Sequence, residues 1–148
     1  MADFQQQLTE WYVKTMQKAS LTVRETIIGV ATSVVDKSPV GDPSLWVNPH
    51  PPKGYEGGHF KANWRGGVGA INEEVTDDID PTGETSLIQI ISAIPEKPEE
   101  KVFYITNSLP YAQSLEDGHS TQAPQGMVGL TALEFESIVD NAVLKVIK

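Results

Sequence analysis

The sequence predicts an α+β fold: a long N-terminal helix and a C-terminal helix packed on a small antiparallel β-sheet, with long loops between the elements. Three features predict it. An apolar stripe at helical spacing runs through the first 36 residues, a β-branched and aromatic run stands at 101–106, and a second helical stripe closes the chain. At 148 residues, with 39% of them hydrophobic, the chain suits a single domain over 1–148 with one ordinary core.

The first helix is expected over residues 3–36. Phe4, Leu8, Trp11, Tyr12, Met16, Val23, Ile27, Val30, Ala31, Val34 and Val35 recur at three- and four-residue steps. No proline intervenes before Pro39, and Asp3 can cap the start. Gly29 is a weak point, about 1 kcal/mol worse than alanine, and leaves room for a kink. A helix of roughly 33 residues spans about 50 Å. That is too long for a small globule to cover alone, so part of its face should meet another subunit.

Residues 38–58 hold five of the ten prolines and four of the twelve glycines and are expected to form a loop insertion. Sheet and short helices should fill 59–118. A helical turn is expected at 59–64, a weakly alternating strand at 64–76, and a turn at 77–84. Residues 85–94 fit either a strand or a helix; a helix is preferred, because Asp80 or Thr85 can cap it and Pro95 ends it. A strand follows at 101–106. A short helix at 110–117 has Pro110 at its start and Gly118 at its end. After a loop at 119–130, the final helix should run over 131–147, opened by the capping-box pair Thr131 and Glu134.

Composition excludes several functions. There is no cysteine, hence no disulfide, thiolate metal site or cysteine nucleophile. The N-terminus has neither the basic nor the apolar part of a signal peptide, and no apolar run approaches the roughly 20 residues that span a bilayer. A soluble protein, made in the cytoplasm and without membrane contact, is expected. Net charge is −9, and residues 66–100 carry nine acids against one base. Without clustered Lys and Arg, specific nucleic-acid binding is not expected. The plain reading of the acidic stretch is a solvated loop. The sharper one is a wall that keeps passing DNA from sticking.

Sites for chemistry are thin. His50, His59 and His119 show no metal-ligand spacing, and a surface or interface histidine is the simpler reading. No GxSxG elbow brings a serine to a histidine. Asp78, Asp80 and Gly83 echo a calcium loop only faintly, because the DxDxDG order is absent. The glycines at 57–58 and at 66, 67 and 69 lack a following GKS/T, so they read as turns or strand irregularities. No catalytic residue, cofactor or metal is expected. Tyr111 and Leu115 can dock the short helix on the sheet, with Glu116 left exposed. The loop from His119 to Met127 either folds over its own domain or reaches a neighbour; the residues leave both open.

Residues 107–118, N-S-L-P-Y-A-Q-S-L-E-D-G, followed by H-S-T-Q-A-P-Q-G-M-V at 119–128, resemble the signature of the neck and tail-completion family of lambdoid-type long-tailed bacteriophages. Members carry N-x-L/V-P-Y-A-x-x-x-E-x-G after a strand and then a loop with A-P. S-P-V-G-D at 38–42 and G-G-H-F-K-A-N-W at 57–64 resemble that family's S-P-V-D-T-G-x-L-R-x-S/N segment, here split by an insertion and with Lys61 where the family has arginine.

The resemblance implies a virion protein that sits in a ring around the DNA channel at the head–tail joint. It implies assembly and no chemistry. Its partners would be further copies of itself, six-fold favoured and twelve-fold as the connector-matched option, together with connector and tail-tube or terminator proteins. Loop residues are the expected contacts: Trp46 and Tyr55 in the insertion, Tyr111 and Glu116 in the motif helix, and His119, Pro124, Gln125 and Met127 in the following loop. Core roles suit Tyr111 and Trp64 equally well. Two rivals stand beside this reading: a monomeric protein-binding or regulatory module, and a small carboxylate-based hydrolase.

Overall fold

A computed structural model describes residues 3–45 and 50–148. Its longest element is helix α1, Phe4–Asp36. Asp3 caps it: the Asp3 carboxylate accepts from the Gln6 amide at 2.8 Å, and the Gln6 side chain accepts from the Asp3 amide at 3.2 Å. The C-terminal helix expected over 131–147 arrives as two pieces, α4 at Val128–Leu133 and α5 at Phe135–Ile147. The expected Thr131–Glu134 capping box does not form. Thr131 lies inside α4 and its hydroxyl meets Ser33 at 2.8 Å, while the Glu134 carboxylate takes Lys37 at 2.8 Å. Tertiary partners on α1 claim both side chains, and the helix opens three residues earlier.

Those two contacts sit at the C-terminal end of α1, whereas Lys145, near the end of α5, reaches back to Glu25 at 3.6 Å. The helices are therefore antiparallel. Between these ends a methyl group at Gly29 would lie 2.6 Å from the Cγ2 atom of Ile138. The position that looks weak in isolation is thus one where Ile138 of α5 leaves no room for a side chain, and α1 runs through it unbroken. α5 has 13 residues, about 20 Å of helix, so it covers well under half of α1. Up to Lys18 every described residue of α1 is exposed, save the half-buried Met16.

Among the described residues the sheet has two antiparallel strands, β1 at Trp64–Val68 and β2 at Phe103–Asn107, in register from Trp64 opposite Asn107 to Val68 opposite Phe103. The strand expected over 64–76 is shorter than that. The chain turns at Gly69 (φ +73°), whose amide still donates to the Val102 carbonyl, and residues 72–80 run without regular structure. Helix α2 at Glu84–Ala93 follows, so the helical alternative at 85–94 holds. Its leading residue is Gly83, and Asp80 caps from outside by accepting the Ser86 amide at 3.0 Å. Helix α3, Ala112–Glu116, follows Pro110 and ends before Gly118 (φ +90°). Among the described residues no helix is long and apolar enough to cross a membrane.

The core joins Ala31, Val34 and Val35 of α1 to Phe60, Trp64, Ile90, Leu109, Ala123 and Met127. It gathers the inner end of α1, Ile90 of α2, and the 57–64 and 107–128 segments. Filling the Gly29 contact should loosen the whole α1–α5 pair. Gly29→Leu is expected to destabilise the protein by about 2 kcal/mol, the usual cost of overpacking, despite its better helix propensity. Thermal unfolding followed by circular dichroism measures it.

Candidate functional site

The segments at 38–42, 57–64 and 107–128 are far apart in sequence and meet in one joint. Its deepest contact is a relay. The buried indole N–H of Trp64 donates to the Ser38 hydroxyl at 2.8 Å, and that hydroxyl donates to the Val34 carbonyl at 2.6 Å. A buried donor without a partner is costly, so Ser38 both satisfies Trp64 and closes the end of α1. Asn107, the last residue of β2, donates its side-chain amide to the Phe60 carbonyl at 2.9 Å. Gln122 pairs with both backbone groups of Val40, accepting from its N–H at 2.9 Å and donating to its C=O at 2.6 Å. The side-chain amide here stands in for a neighbouring strand.

Asn63 works in the same way from a fully buried position. Its Oδ1 accepts from the Thr76 amide at 2.8 Å, and its Nδ2 donates to the carbonyls of Thr76 at 3.1 Å and His59 at 2.7 Å. It thereby pins the acidic 72–80 segment to the joint. His59 Nε2 faces the Thr76 carbonyl at 2.9 Å, an acceptor only, so that nitrogen carries the proton. Nδ1 can then accept from the Tyr111 hydroxyl, 2.8 Å away. Burial, followed by the nearby Tyr55, raises the Tyr111 pKa above its ordinary value, which keeps the hydroxyl a donor. The Tyr111 ring also packs obliquely on Phe60, with centroids 6.0 Å apart. Tyr111 therefore seats against the 57–64 segment, while Ala112 and Leu115 of α3 pack on the core.

Around the joint opens a cleft of roughly 480 Å³, walled by Pro39 to Asp42 on one side and by Tyr55, His59 and Tyr111 on another, with His119 and Gln122 at its rim. Tyr55 lies over Gly41, where a side chain would collide with its hydroxyl. Among the described residues no group of three His, Asp or Glu is placed to hold a metal ion.

Glu116 is half-buried, against the expectation that it stays exposed. Its carboxylate accepts from three consecutive amides, Met127 at 3.0 Å, Val128 at 2.9 Å and Gly129 at 3.0 Å. These are the first free N–H groups of α4, so Glu116 is the cap that starts the last helix at Val128. Burial pushes the carboxyl pKa up, but the three amide bonds together outweigh it and leave it below its ordinary value.

The other expected contact residues fall in different places. Tyr55 and His119 line the cleft, and Pro124 and Gln125 stand exposed at the tip of the 119–127 loop. Met127 does not belong with them. It is 1% exposed and part of the core, because the loop folds back over its own domain and Ala123 and Met127 are the residues it buries. Trp46 lies outside the described residues. Sequence reasoning passed over Asn63 and Gln122. The available signal was that each sits in or beside a motif segment and carries the one side chain, an amide, that can replace both backbone partners at once. No family model matches the chain, and comparisons with curated proteins and with solved structures return no match.

Ser38→Ala leaves the Trp64 N–H buried without a partner and is expected to cost about 1–3 kcal/mol. Trp64→Phe in the Ser38→Ala background should recover part of that loss, as denaturant titration would show. Glu116→Gln should cost about 1–2 kcal/mol at neutral pH, as lost helix caps do. Because the folded-state carboxyl pKa lies below the unfolded one, its contribution is complete above the unfolded value and fades as pH falls through the folded value. The gap in melting temperature between the wild type and the Glu116→Gln variant should therefore close in acid.

Proposed function

We propose that the protein is a structural subunit of a tailed-bacteriophage neck or tail-completion ring, and that it joins the head connector to the tail around the DNA channel without catalysing a reaction. The observation that carries this reading is the joint itself. The three segments that resemble the family's signature converge, and their polar residues are used on one another: Ser38 with Trp64, Asn107 with Phe60, Gln122 with Val40, and Tyr111 with His59. Both ring nitrogens of His59 serve the fold, which suits a scaffold better than an acid–base site.

Two surface features support assembly. The outer half of α1 carries large apolar side chains that the other described residues leave exposed. Such a surface belongs in an interface. The exposed carboxylates of Glu73, Glu74, Asp77 and Asp78 suit a wall past which DNA slides. A cyclic, head-to-tail interface closes such a ring. The cleft beside Tyr55, Tyr111 and His119 supports a second reading, a monomeric module that holds a peptide segment.

Purified particles test the proposal. Protein mass spectrometry should find the chain in mature virions. Phage lacking its gene should yield separate filled heads and finished tails that join when the full chain is added. Mature, infectious particles without the chain would overturn the reading.

A further inference from the structure

The exposed end of α1 carries Phe4 (77% exposed), Leu8, Trp11 (63%) and Tyr12 on an otherwise polar rod. At those exposures the three aromatic side chains alone leave on the order of 400 Å² of surface in water. A stable interface takes about 800 Å² from each partner, a little over half of it apolar. The stripe is the right size to be the apolar core of one such contact.

The same molecule offers an open receptor. A groove of about 390 Å³ lies between Val30 and Val34 of α1, Ile105 of β2, and Val128, Ala132 and Phe135 of α4 and α5. Phe135 is 49% exposed at its edge. The polar group in this wall, the Thr131 hydroxyl, is turned to Ser33. Stripe and groove cannot meet within one copy. Trp11 and Val30 lie on one continuous helix, about 30 Å apart along its axis at 1.5 Å per residue.

Charge permits the same pairing. The exposed end of the rod, residues 3–18, carries Lys14 and Lys18 against Asp3 and Glu10, so it is neutral in a chain of −9. A neutral rod meets the acidic body of another copy without the repulsion that two acidic surfaces would suffer. It has no clustered basic patch of the kind nucleic-acid binders need. It also lacks the Lys- and Arg-rich face of a membrane-surface helix.

We propose that the free end of α1 seats its Phe4, Leu8, Trp11 and Tyr12 side chains in the Val30, Ile105 and Phe135 groove of a second copy of this chain. The inference rests on the self-assembling reading and adds the contact by which copies join. The contact is heterologous, using one face as plug and another as socket, so each copy can bind two neighbours.

The full-length chain tests it. Trp11→Asp spoils the plug and Phe135→Asp the socket. Both side chains are exposed, so circular dichroism and melting should match the wild type. By native mass spectrometry the wild type should form oligomers and each variant alone should be monomeric. A mixture of the two variants should double the monomer mass, because one intact plug meets one intact socket. The absence of native cysteine allows a second measurement. A Leu8→Cys copy mixed with a Val128→Cys copy should form the mixed disulfide dimer under mild oxidation. A Phe135→Asp variant that assembles like wild type, a Leu8→Cys chain that crosslinks mainly to itself, or a wild type monomeric at about 100 µM would each overturn the docking. Chain found in mature particles despite any of these results would leave the virion role standing.

Discussion

The hydrogen bond from the Trp64 indole to Ser38 is the constraint on which the rest of the structure depends. Trp64 begins β1 in the middle of the core, and its N–H has no water to turn to. Ser38 must therefore stand where α1 has just ended, with its own hydroxyl proton passed to Val34. That fixes how the chain leaves the long helix. Pro39 is then buried and Val40 runs where Gln122 can pair with it. One indole thus sets the spacing between the inner end of α1, the first strand and the loop before α4.

A two-stranded sheet is marginal by itself. Here much of the ordering that longer strands would provide comes from side chains acting as backbone. Asn63 and Gln122 each offer a carbonyl and an amide to one residue of a passing segment. Glu116 offers two oxygens to three amides at a helix start. Each such residue joins elements distant in sequence, and each would leave several buried or half-buried partners unmet if lost. The consequence is a small domain whose long loops are fastened at a few points, with exposed tips such as Pro124 and Gln125 between them.

The same economy leaves α1 divided. Its inner half is held by α5, whose close seat at Gly29 and ion pairs at Lys37 and Glu25 define one antiparallel overlap. Exposed pairs of that kind contribute little, so the contact relies on packing. Beyond the end of α5 the rod continues with its apolar side chains in water. The proposed ring contact needs two different surfaces, and the domain body and the free rod offer them.

By itself the sequence determined whatever depends on periodicity and local chemistry. The helix through residue 36, its Asp3 cap, the α+β class, the helix before Pro95, and the Gly118 stop follow from side-chain spacing and from what proline and glycine permit along a short stretch of chain. The resemblance at 38–42, 57–64 and 107–128 also marked the segments that prove to meet. Tertiary structure alone decided where the last helix starts, because Thr131 and Glu134 are drawn to Ser33 and Lys37 while Glu116, eleven residues before Met127, supplies the cap. It decided that Met127 is core, that β1 stops at Val68, and that Gly29 is a contact inside an unbroken helix. Each of these turns on a partner supplied from elsewhere in the fold, and spacing along the chain carries no record of which distant group will arrive to satisfy a donor or fill a gap.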